Sequence, residues 1–182
     1  MSCVMEFRNI IINKKSEDYD IMNQKVLHTL EYDKIIQQLI TLAGSPAGKE
    51  YCARLLPHTD QNWIETTQRE TSDALTHILT QGGLSFQGVT DIRNSLKRLE
   101  IGSILGTGDL LDIARLLSTA GQVKSFFRKS LNENEETGDS LNERYQLIEP
   151  LYPLMQEIRR CIIEENEIAD DASPGLAQIR RK

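Results

Sequence analysis

The residues Gly44-Ser45-Pro46-Ala47-Gly48-Lys49-Glu50 come nearest to a recognisable chemical device, a glycine loop and lysine that could cradle phosphate. They fail as one on three counts. The spacing is one residue short, Glu50 stands where Ser or Thr should hold magnesium, and a helical pattern rather than a strand precedes the glycines. The stretch reads better as a break between two helices: Gly44 stops one, Ser45 caps the next, and Pro46 takes its first position, where a missing N–H costs nothing. Gly102, Gly106 and Gly108 likewise read as a turn, with Asp109 where an anion site wants a donor.

No other constellation rises to a site. His28, His58 and His77 have no ligand or triad spacing and are expected at the surface or in loops. Glu133, Glu135, Glu136 and Asp139 read as a solvated acidic loop rather than a metal cage. Cys3, Cys52 and Cys161 form neither a disulfide framework nor a zinc site and suit a reducing cytoplasm. Catalytic, cofactor-binding and metal-ligating residues are therefore expected to be absent. Basic pairs fall at Arg93/Lys97 and Arg159/Arg160, with the sole terminal cluster at Arg180, Arg181 and Lys182. That cluster is the candidate for phosphate contacts.

The elements that would position these residues follow from apolar spacing. Tyr32, Ile35, Ile36, Leu39, Leu42 and Ala43 mark one face of a helix opening at Thr29; the helix after Pro46 carries Tyr51, Leu55 and Leu56 inward and stops at Pro57. This hairpin is expected to organise the core. Asp60 caps a helix to about Gln81 with Ile64, Thr67, Thr71, Ala74, Leu75, Ile78 and Leu79 inside. After a tucked loop over 84–89, Thr90 or Asp91 caps a helix burying Ile92, Leu96 and Leu99. Thr107 caps another with Leu110, Ile113, Ala114, Leu117, Gly121 and Phe127 inside. A polar loop follows over 131–143. Pro150 and Pro153 then delimit a helix with Leu154, Ile158, Cys161 and Ile162 on one face. Residues 164–171 read as an acidic link before Ser173-Pro174 opens a last helix, whose clear start without a stop reads as a truncated one. No segment sustains two-residue alternation, so the expected class is all-α.

Composition agrees with a single soluble domain: 182 residues, 39% apolar, 26% charged and few aromatics. A net charge of −6 argues against a stand-alone nucleic-acid binder, without excluding a local basic face. No apolar run is long enough to span a membrane, and the first residues do not read as a signal peptide. Residues 1–21 lack helical period and read as a poorly ordered extension, with Met22 as the functional start.

Taken in order, Leu30-Glu-Tyr-Asp-Lys-Ile35, Ser45-Pro-Ala-Gly-Lys-Glu50, Glu70-Thr-Ser-Asp-Ala-Leu75, Asp91-Ile-Arg-Asn-Ser-Leu96 and Ala169-Asp-Asp-Ala-Ser-Pro174 with Ala177-Gln-Ile-Arg180 resemble the second MutS family. That family is the bacterial MutS paralogue ending in an Smr endonuclease domain, and the resemblance runs from Met22 to Lys182. It implies a helical core domain of the MutS core and lever type over 22–165. Residues 166–182 would then be the acidic link and the start of a long lever helix, where this chain is cut. It further implies that full-length members are homodimeric ATPases with nuclease activity, using ATP and magnesium. They are cytoplasmic, act on branched or recombination-intermediate DNA in mismatch-repair-like and recombination-suppressing roles, and some rescue collided ribosomes. The family's Walker motifs, clamp and Smr domain are not in this chain. No catalytic or nucleotide-binding residue carries over, so the chain alone is expected not to be an enzyme.

The leading expectation is a structural core that passes movement between nucleotide site and DNA clamp. The rival is an independent helical adaptor that binds a protein partner through an exposed apolar groove.

Overall fold

The structure, a computed structural model, describes residues 24–133 and 139–181. The expected extension over 1–21, together with Glu135, Glu136 and Lys182, lies outside the described residues. Nine helices and one short hairpin follow in chain order among them: α1 Gln24–Thr29, α2 Tyr32–Leu42, α3 Pro46–Ala53, α4 Gln61–Gln81, α5 Arg93–Glu100, α6 Thr107–Glu133, α7 Asn142–Gln146, α8 Tyr152–Cys161, β1 Ile162–Glu164, β2 Glu167–Ile168 and α9 Pro174–Arg180. The fold is an all-α, multi-helix domain, as its periodicities imply.

Local capping chemistry sets three of the helix starts. Ser45 Oγ accepts from the Gly48 N–H at 3.1 Å, Asp60 Oδ1 from Trp63 N–H at 3.1 Å, and Ser173 Oγ from Leu176 N–H at 3.2 Å. Pro46 and Pro174 follow two of these caps in the first turn. The opening differs from expectation. Thr29 ends α1 rather than starting a helix, its hydroxyl donating back to Lys25 O, and Glu31 turns the chain at φ 56° before α2. The helix after Pro46 stops at Ala53, so Tyr51 and Leu56 face solvent, both more than half exposed.

The core lies elsewhere than in the opening hairpin. Ile113 and Ala114 of α6 meet Ile158 of α8 and Ile162 of β1, with Ile92, Leu105, Leu110, Leu117 and Met155 packed around them. In α2 a single residue, Ile36, is buried, while Ile35, Leu39 and Leu42 are exposed. The hairpin's apolar stripe lacks a covering layer among the described residues. The same holds for Leu75, Ile78 and Leu79 of α4, all read as inward and all exposed.

Two further expectations are corrected. Residues 162–168, read as helix end and acidic link, form an antiparallel hairpin with Ile162 opposite Ile168 and a turn at Glu165-Asn166. Its strands are too short to show alternation, yet Ile162, Ile163 and Ile168 are β-branched residues that favour a pleated chain. The expected loop over 131–143 is shortened from both sides, since α6 runs to Glu133 and α7 opens at Asn142.

Helices α6 and α8 approach closely at Gly121. A Cβ there would sit 2.9 Å from Cε1 of Tyr152 and 3.1 Å from its hydroxyl. Gly121→Ala should therefore lose on the order of 1 kcal/mol net, the overpacking exceeding the helix-propensity gain. In a Tyr152→Leu background the same change should become neutral or stabilising. Chemical denaturation of both pairs checks the reversal of sign.

Candidate functional site

The residues that could do chemistry are, in the folded chain, mostly engaged with one another. Ser45 caps α3 and Glu50 takes Arg54 and Arg93 as ion partners, so the 44–50 stretch forms a helix break. At the 102–108 turn the Gly106 N–H already donates to Asp109 Oδ2 at 3.1 Å, and Asp109 also accepts from Ser95 Oγ at 2.9 Å and pairs with Arg98. Arg98, then Ser95 and the Gly106 amide, hold the Asp109 carboxyl below its ordinary range. The turn carries its own anion.

One arginine of each basic cluster is similarly occupied. Arg93 reaches Asp91 and Glu50, and Arg160 pairs with Glu157 while donating to the carbonyls of Asp171 and Ala172. Arg180, first of the expected phosphate contacts, pairs with Asp170 and donates to Ile168 O at 2.9 Å, tying α9 to the hairpin. Arg181 is exposed beside it. Cys52 and Cys161 are separate free thiols. Burial first, then the Glu157 hydrogen bond, pushes the Cys161 thiol up, the opposite of nucleophile activation. Among the described residues no group of His, Cys, Asp and Glu could hold a metal ion.

The histidines divide. His28 is exposed, and His58 is half-buried with its ring stacked on Trp63. His77, expected at the surface, is 7% exposed and hydrogen-bonds through Nε2 to Asp139 Oδ2 at 2.9 Å. Asp139, expected in a solvated acidic loop, is thus half-buried. The pair belongs to a polar clasp that the apolar spacing did not reveal. Down one face of α4, Glu70 accepts from Arg144 at 2.6 Å, Asp73 accepts from the Ser140 amide at 3.0 Å, and His77 meets Asp139. Ser140 holds the Asp73 carboxyl below its ordinary range through side chain and backbone together. The signal available in sequence was the 70, 73, 77 spacing of polar residues on one helical face.

A groove of about 440 Å³ runs between α5, α6 and α8, lined by Leu99, Ile104, Leu105, Leu110, Leu154 and Ile158 among others. Ile104, one of its lining residues, is 93% exposed. Among the described residues no helix is long and apolar enough to cross a membrane.

Fold and surface together define a helical packing module, with many polar groups of the described residues engaged in its own clasps and several apolar faces left open. Comparison with known proteins places that module. The chain is 52% identical over 164 residues to a protein named Endonuclease MutS2 from Lachnoclostridium phytofermentans. It is 44% identical over 160 residues to the protein of that name from Agathobacter rectalis and 42% over 161 residues to that from Acetivibrio thermocellus. Each match covers 88% of this chain, which spans about a fifth of the length of these relatives. No family model matches the chain. The chain is homologous to one segment of the MutS2 family, as its ordered motifs imply.

Proposed function

We propose that the chain is the helical core of a MutS2-type, DNA-processing ATPase and endonuclease, passing movement between a nucleotide site and a DNA clamp that lie in other parts of such a protein. The observation that carries this reading is the 52% identity to an Endonuclease MutS2 along 88% of the chain. On this reading ATP and magnesium, the homodimer, the nuclease chemistry and contact with branched DNA or ribosomes belong to the whole protein in the cytoplasm. The segment contributes shape, because close-packed helices pass displacement instead of absorbing it.

DNA titration tests the assignment. Counterion release needs several clustered cations, and the terminal cluster offers about three. One of them, Arg180, is already paired with Asp170. Binding of the isolated chain to DNA should be weak, fall steeply with salt, and not distinguish linear duplex from a four-way junction. Both substrates are titrated at two salt concentrations. Micromolar or tighter binding that favours the junction and survives the higher salt overturns the scaffold assignment.

The apolar groove between α5, α6 and α8 favours a second reading, an adaptor that binds a helical protein partner. The two part on the whole protein: a core segment acts only when joined to ATPase and clamp, whereas an adaptor captures its partner alone.

A further inference from the structure

We infer that α1–α3 form a flap that swings against the α6–α8 body, and that Arg93 is the clasp holding it docked. Helices α1, α2 and α3 pack chiefly on one another, and the flap is stiffened internally by the Ser45 cap and by the Tyr32 hydroxyl donating to Leu55 O at 3.2 Å. Its connection to the body is slight by comparison. The chain between Ala53 and Gln61 is non-helical, a Cβ added at Gly44 would come no nearer to Phe86 than 3.7 Å, and the flap's apolar face is mostly exposed.

Across this joint lies one two-sided guanidinium. Arg93 Nε donates to both Asp91 oxygens at 2.9 Å, while Nη2 reaches Asp91 Oδ2 and Glu50 Oε2 at 2.6 Å each. Glu50 sits on α3 in the flap and is steadied there by Arg54. Arg93 opens α5, whose neighbouring Ile92 packs on the α6–α8 core and whose Ser95 is bonded to Asp109 of α6. The clasp thus joins flap to body with one end anchored in each. Because Arg93 is 56% exposed, the bond is open to salt and of the weak kind that lets two arrangements coexist. The inference stands apart from the parent activity and concerns only how two parts of this chain move.

Pulsed electron-spin distances in the full chain test it. Nitroxides are placed by Gln38→Cys on α2 and Gln122→Cys on α6, after Cys3, Cys52 and Cys161 are changed to Ser. A control pair uses Gln122→Cys and Gln156→Cys, both within the body. The flap pair should give one narrow distance at low salt. Arg93→Ala, Glu50→Ala or high salt should add a second distance, moving the docked-to-swung ratio by up to about fivefold, the most an exposed ion pair supplies. The double variant should be no broader than either single one. An unchanged flap distance in both variants, a distribution already broad beforehand, or equal broadening of the control pair overturns the inference.

Discussion

Replacing Ile158 with Ala is expected to destabilise the chain by about 2–5 kcal/mol, the range for emptying a buried aliphatic site that cannot collapse. Ile158 is 7% exposed and is the point where α8 meets Ile113 and Ala114 of α6 and Ile162 of β1. Two long-range layers lose contact together when its side chain is removed. The informative partner is Leu39→Ala. Its spacing puts Leu39 mid-face in the opening helix, but it is 38% exposed, so removing it leaves little cavity and should cost under about 1 kcal/mol. Denaturant unfolding of the two variants reads the difference directly. Equal losses would mean that the opening hairpin, and not the α6–α8 pair, is the stabilising centre.

The second large effect is expected at His77. His77→Ala should cost about 2–3 kcal/mol, because it strips the half-buried Asp139 carboxyl of its partner at Oδ2 and leaves only the Leu141 amide, which donates to Oδ1, to hold the charge. The ring is also lost from an aromatic group in which it meets Phe127 edge-on, with Phe127 in turn stacked on Tyr145. Asp139→Asn, which keeps a hydrogen-bonding group of the same shape facing His77, should cost less. The clasp makes a further demand: α7 should loosen before α8 does. Amide exchange in the His77→Ala variant checks this, with faster exchange over 140–146 and little change over 155–161. Uniform acceleration across both stretches would show a general loss of stability and no local latch.

These contrasts mark how far local sequence reaches. The helix breaks at Ser45-Pro46 and Ser173-Pro174, and the cap at Asp60, were legible because each is closed by an amide three residues away. The all-α class was legible for a similar reason, since helical spacing of apolar residues is a short-range pattern. The small hairpin at 162–168 was not, because strands of three and two residues carry too little alternation to register. As for the site, the helix break at 44–50 was legible from residue types in one short stretch, and the structure places the Ser45 cap and Pro46 there. The clasp of Glu70, Asp73 and His77 was missed because its partners lie 62 to 74 residues away.

Sequence by itself therefore determined the helix starts that a side chain caps, at Ser45, Asp60 and Ser173, and that the helices are amphipathic. Only the tertiary structure decided which faces are covered. Leu75, Ile78 and Leu79 look more suited to burial than Glu70, Asp73 and His77 on the same helix, yet they are the ones that meet solvent. Burying a polar face is tolerated once each group finds a partner, and α4 finds Arg144, Ser140 and Asp139 on the far side of α6 in the chain. Apolar spacing tells that a face wants cover, but which segment arrives to cover it depends on contacts between residues far apart in sequence.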